Sequence, residues 1–260
     1  MALFTDGLLT DVEQLMGYES SILEAARTEG IELGVKLQLA QEEVGIALKR
    51  FLVQQGAGDV GLGHVVASEA LRKWHAFQTL ALVYRDAYSS QLNDRYLAKW
   101  KEWERMAEWA RTALFDIGVG ILTRPIPKAQ PPRWSTISAP LAGATYYIRV
   151  SWVNAEGVEG APSEPSVVTT ADGQGLSIRV TDPPAEVSGW NLYAGYSLSE
   201  AMLQNPDPIP KEGIWETGSG GLVPGRKPSA GQDAEYYVQR GGVHRRERGS
   251  DPRVLWLLRG

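Results

Sequence analysis

The sequence predicts an α+β chain made of an N-terminal α-helical bundle, a β-sandwich and an extended C-terminal tail. Three observations predict it. Between Leu71 and Leu122 the chain places Trp74, Trp100, Trp103 and Trp109, with Phe77, Tyr84, Tyr88 and Tyr96, at helical spacing among many charges. Aromatics so placed describe helices that must pack on something. Beyond the proline-rich run Pro125 to Pro132 the apolar period drops to two, the period of half-buried strands. The last residues are first basic and then apolar. These shifts divide the chain into a helical domain (1–124), a proline-stiffened linker (125–133), a β-sandwich (134–217) and a loop-rich arm (218–260).

The helices follow in order. Asp11 to Tyr18 reads as a short helix. A second begins near Ser20 or Ser21, with Glu24 early enough to reach back to the cap, and Gly30 interrupts it. Leu33, Leu37, Ala40, Val44, Ala47, Leu48 and Phe51 then step by threes and fours along one face. Gln54 to Gly63 carries four glycines and reads as a loop. The next helix starts near Ser68 on the stripe Leu71, Trp74, Phe77, Ala81, Tyr84 and Tyr88, and Ser89–Ser90 suggests a break. Asn93 or Asp94 caps a last helix with the stripe Tyr96, Trp100, Trp103, Ala107, Ala110 and Leu114. So short a connection favours an antiparallel hairpin.

The strands are Thr145 to Val153, Ser166 to Thr170, Leu176 to Thr181 and Trp190 to Tyr196. In the first, Tyr146, Ile148, Val150 and Trp152 alternate with Tyr147, Arg149 and Ser151. Short strands with turns every 8–12 residues argue for a sandwich. Pro206 to Gly231 is loop-like, and Tyr236 to Gln239 reads either as a strand or as a segment ordered on a partner.

Several chemistries are excluded or disfavoured. There is no cysteine, hence no disulfide, thiolate metal site or cysteine nucleophile. Of His64, His75 and His244, none has a second histidine at i+3 or i+4, so no helical metal pair exists. No nucleophile elbow, phosphate-binding loop or dinucleotide fingerprint is present. An enzyme is not expected, and neither is a cofactor. No apolar run approaches the ~18 residues of a membrane span, and MALFTDGLL lacks the basic start of a secretion signal. Charge is uneven: residues 1–130 carry −3, 131–235 carry −6 and 236–260 carry +4. A basic tail on an acidic body suggests an acidic partner for the tail.

Two clusters stand out as contact candidates. Arg85 and Asp86 face Asn93, Asp94, Arg95 and Tyr96 across the hairpin turn, either as a local cap and ion-pair arrangement or as a contact between subunits. The terminus sets Arg240, Arg245, Arg246, Arg248 and Arg253 before Leu255, Trp256, Leu257 and Leu258, with Tyr236 and Tyr237 upstream. An apolar end is avoided unless it docks; the segment reads as an anchor for another chain, with packing on its own domain and disorder as the competing readings. Trp190, Trp215 and Tyr196 are candidates for an exposed platform on the β part, although Trp152 or Trp190 better suits the buried tryptophan of a sandwich.

The segment from Asp11-Val12-Glu13 through ILEAARTEGIELGVKLQLAQEEVGIAL, together with LRKWHAFQTLALVYRDAYSSQLNDRYLAKWKEWERMAEWA, resembles the helical head–tail adaptor (connector) proteins of tailed bacteriophages. YYIRVSWVNAEGVEGAPSEPSVVTT resembles the fibronectin-III or immunoglobulin-like modules of phage structural proteins. The resemblance implies a homo-oligomeric ring, commonly a dodecamer, at the head–tail interface of a virion assembled in the host cytoplasm. It implies a portal protein above, a tail or tail-completion protein below, and double-stranded DNA passing without sequence specificity. It maps subunit contacts to the hairpin turn and portal contacts to Tyr236–Gly260. Small adaptors usually lack the β module, so its contacts are open.

Overall fold

The computed structural model describes residues 1–91 and 94–245; Leu92, Asn93 and residues 246–260 lie outside them. Five helices fill the N-terminal half and antiparallel sheets follow, an α+β chain. It divides into two compact units. One is Gly7–Thr123 with the chain from Ala234 on; the other is Met1–Asp6 with Arg124–Asp233.

In the helical unit, α1 (Val12–Tyr18) opens on a capping box: Asp11 accepts from the Gln14 amide at 2.8 Å and the Gln14 side chain accepts from the Asp11 amide. Ser21 heads α2 (Ile22–Glu29), but its hydroxyl turns back to Glu19 rather than capping. Gly30 ends α2 in the left-handed region, φ 65°, where a side chain would be strained. α3 spans Leu33–Gln54 and buries Leu37, Ala40, Val44, Leu48 and Phe51, the stripe the sequence predicts. α4 (Glu69–Gln91) runs through the expected break at Ser89–Ser90. Ser90 bonds back to the Ala87 carbonyl at 3.1 Å, a local bond that a helix tolerates. α4 is buried on nearly every side, because α1, α2, α3 and α5 all pack on it. α5 is Asp94–Ile117. Ring pairs Tyr88–Trp100, Phe77–Trp103 and Trp74–Phe115 run down an antiparallel α4–α5 hairpin, and Phe115 stacks on Phe51 at 4.0 Å.

The chain end completes this unit. β1 (Val119–Ile121) pairs antiparallel with β10 (Tyr236–Gln239), which pairs with β11 (Gly242–Arg245). Tyr236–Gln239 is thus a strand of the helical unit, and the arm drawn at 218–260 is divided at Ala234. Gly118, at φ 115°, makes the close approach possible: a Cβ there would meet Gln239 Cγ at 2.8 Å and Tyr237 Cβ at 2.9 Å.

The β unit has two antiparallel sheets facing one core. β2 (Arg133–Ser138), β5 (Gln174–Arg179) and β9 (Trp215–Glu216) form one, in the order β2-β5-β9. β4 (Ser166–Thr169), β3 (Thr145–Asn154), β6 (Val187–Gly195) and β7 (Met202–Leu203) form the other in that spatial order, with β8 (Ile209–Pro210) also on β6. Tyr146, Ile148, Val150 and Trp152 of β3 meet Leu176, Ile178, Trp190 and Leu192 in the core, as the alternation predicts. The proline-rich run is a further correction. It is no free linker, since Ile126 and Ala129 are buried in this same core. The N-terminus belongs here too: Met1 donates its amino group to Gln232 O at 2.7 Å, and Asp6 accepts from the Lys128 amide at 2.8 Å. No helix among the described residues is long and apolar enough to cross a membrane.

Candidate assembly surfaces

At the hairpin turn the predicted contact residues divide. Arg85 and Asp94 are exposed. Asp86 pairs with Lys36 of α3. Arg95 donates to the Tyr96 hydroxyl and lies 4.6 Å from that ring centre. Tyr96 is 3% exposed and tilts against Tyr84, so its ring is spent on the core of its own chain. Nearby, Lys99 bonds the buried Glu19 at 2.7 Å. Burial pushes the Glu19 carboxyl up, but bonds from Lys99 and Ser21 outweigh it and hold the group below its usual range. Asp86 and Tyr96 are thus engaged within their own chain, by a long-range ion pair and by packing, and Arg85 and Asp94 are left facing outward.

The predicted tail residues divide as well. Tyr236 and Tyr237 are half-buried in β10, opposite Ile121 and Gly120. Arg240 pairs with Asp116 at 3.2 Å while its amide donates to the Phe115 carbonyl. Arg245 lies on β11. Arg246, Arg248, Arg253, Leu255, Trp256, Leu257 and Leu258 fall outside the described residues.

A surface that the sequence reading missed lies on α3. Val35, Leu39, Ile46 and Val53 are all exposed, Ile46 at 71%. Their spacing of four, seven and seven places them within about 40° of arc at 3.6 residues per turn, opposite the core stripe. The row is about 27 Å long at 1.5 Å per residue. α3 therefore carries two apolar faces, only one of which meets the core. On α5 the outward Trp109 is 58% exposed. α4 packs extensively against both α3 and α5, so these outward apolar groups sit on two different faces of the helical unit.

His75 is fully buried. Its Nε2 lies 3.0 Å from the Leu37 carbonyl and must donate there. In the neutral ring Nδ1 then accepts from the Thr10 hydroxyl at 2.6 Å. Burial pulls its pKa below the ordinary 6.5, against the Leu37 bond. Below about pH 6.5 the unfolded chain binds a proton that the folded ring refuses, so stability present above that pH is lost as pH falls. We expect denaturant melts of the helical unit to lose more stability between pH 7 and pH 5 than those of His75→Gln.

The β unit contributes a buried polar network. Glu159 accepts from Ser151, Tyr193 and, at 2.8 Å, Arg226. Burial raises the Glu159 carboxyl, but these bonds and one from Asn191 overcome it and keep the group ionised below its usual range. Burial, then the Glu159 charge, pushes the Tyr193 hydroxyl up. Every partner is occupied, and the network clamps the 222–226 segment onto β3 and β6. Trp190 is the buried sandwich tryptophan rather than part of a platform: it is fully buried, donates Nε1 to Pro210 O at 3.0 Å and stands opposite the buried Trp152. Trp215 packs against the core, and of the three only Tyr196 is exposed. No group of acidic or histidine side chains among the described residues is arranged to hold a metal.

No protein-family model, curated protein or solved structure matches this chain.

Proposed function

We propose that the protein is a virion structural component, a head–tail adaptor whose helical unit assembles into a homo-oligomeric ring beneath a portal protein. The observation that carries this reading is the outward row Val35, Leu39, Ile46 and Val53. Exposed apolar groups aligned on one helix face opposite the core, interleaved with Glu42, Glu43 and Arg50, suit a mixed apolar and polar protein contact. A second outward apolar group, Trp109, lies on another face, which suits the head-to-tail contacts of a closed ring. Arg85 and Asp94 are the hairpin-turn residues free to join that contact. The basic and apolar residues beyond Arg245 supply a grip on the portal, and they continue from a strand anchored in the helical unit. The acidic balance of residues 1–130 suits a conduit through which DNA slides without retention by phosphate contacts. The β unit fits an immunoglobulin- or fibronectin-III-like sandwich, since its two antiparallel sheets enclose one core and the chain crosses between them at β2 to β3, β4 to β5, β5 to β6 and β8 to β9. A tail-completion protein below the ring is the remaining partner of this reading.

Mixing the purified chain with the portal protein encoded beside it tests the proposal by electron microscopy. The expected result is a coaxial ring bound to the portal, with binding lost from a chain ended after Arg245. A chain that never associates with the portal sinks the reading. The second reading, a tail or surface recognition protein, is favoured by an open groove on the β unit beside the half-exposed Trp134.

A further inference from the structure

We infer that the outer face of the three-stranded sheet binds a carboxylated saccharide. The β2–β5 register sets Arg133 opposite Arg179 and Ser135 opposite Ser177. These positions alternate with the core residues Leu176 and Ile178, so they lie on the face turned away from the core. Antiparallel partners have Cα atoms about 4.5–5.5 Å apart, and like charges directly opposite one another are unfavourable. Three other cations of this unit are paired, Arg124 with Glu156, Lys128 with Glu164 and Arg226 with Glu159, whereas Arg133 and Arg179 are the unpaired ones set directly opposite each other. Arg133 and Arg179 are exposed, and among the described residues neither has an ion-pair partner. Two unneutralised guanidinium groups thus stand together on a segment, 131–235, that carries −6 overall.

The two arginines line an open groove of about 570 Å³, floored by the serine pair and bordered by Trp134 and Ile214, each about half exposed. A carboxylate between the guanidinium groups cancels their repulsion and accepts paired hydrogen bonds. The serine hydroxyls match the hydroxyls of a sugar ring, and Ile214, which alternates with the core-packed Trp215, offers apolar surface to its C–H face. Glu216 lies opposite Ser177 on the same face, which disfavours ligands with charge at every step, such as a polyglutamate strand. An extended peptide would in any case pair with the free edge of β2 rather than lie across the sheet face. One carboxylate per ring among neutral hydroxyls fits best. This inference is independent of the adaptor reading.

Calorimetric titration of the full chain with trigalacturonic acid tests it, with the methyl-esterified trisaccharide and hexaglutamate as comparisons. The acid should bind, and the ester and the peptide should bind at least tenfold more weakly. Arg133→Ala and Arg179→Ala should each weaken binding at least tenfold, at unchanged melting temperature, and Arg179→Lys should recover part of the loss. Failure of the acid to bind overturns the inference. So does equal binding of the ester, tighter binding of hexaglutamate, or full binding by the Arg133→Ala/Arg179→Ala double variant.

Discussion

A chain ended after Asp233 is expected to lose the cooperative fold of its helical unit, whereas a chain ended after Arg245 keeps it. The difference is the strand pair β10–β11. β10 covers β1, whose three residues are all buried, and places Val238 in the core at zero exposure. Its backbone and side chains hold the end of α5: Gln239 Nε2 bonds the Ile117 carbonyl at 2.7 Å, and the Arg240 amide bonds the Phe115 carbonyl. The Glu235 amide bonds the Ile121 carbonyl at 2.9 Å. Losing one buried valine, two half-buried tyrosines and the cover on Val119 and Ile121 costs about 5 kcal/mol in apolar burial alone. A domain holds only about 5–15 kcal/mol in all. Followed by far-UV circular dichroism, the helical signal of the Asp233-ended chain should melt on the order of 20 °C or more below the full chain. The Arg245-ended chain should melt within a few degrees of it. Equal melting of all three chains would show that β10 is an accessory.

The helices were legible in the sequence because each writes its own period. The core face of α3 and the hairpin stripes could be read without knowing what they pack against. β10 could be read only as one of two possibilities, because its partner is the three residues Val119–Ile121, set between Gly118 and the end of the unit and more than a hundred positions upstream. Pairing over that distance leaves no local pattern. β2 was missed for a related reason. Arg133–Ser138 is mostly exposed and lacks apolar alternation, so only its ladder to β5 makes it a strand. The proline-rich run looked like a linker by composition, yet Ile126 and Ala129 are anchored by a core that forms downstream. Asp86 suggested an intermolecular contact because its partner, Lys36, lies fifty residues away on another helix.

The outward row of α3 was legible and overlooked. Val35, Leu39, Ile46 and Val53 repeat at four, seven and seven, but the stronger Leu33–Phe51 stripe already accounts for a helix. Apolar residues on a second face add nothing to the evidence for helix formation. They change only what the helix must do once folded. That change carries the functional reading, and it makes a large effect from a small substitution.

Ile46→Asp and Val53→Asp should leave the single chain folded, since both sites are exposed there and surface changes typically stay within about 0.5 kcal/mol. In the proposed ring the same sites would be buried against the next subunit. Each substitution then forfeits about 1.5–3 kcal/mol of apolar burial and adds a desolvated carboxylate without a partner. A loss of that size at every interface of a ring should prevent closure altogether. Native mass spectrometry of the full chain and of the Ile46→Asp/Val53→Asp variant measures this directly. We expect a single closed oligomer, a ring of about twelve copies, for the full chain and a folded monomer for the variant. A monomeric full chain, or a variant that assembles as well as its parent, would contradict the assignment of α3 as the assembly surface.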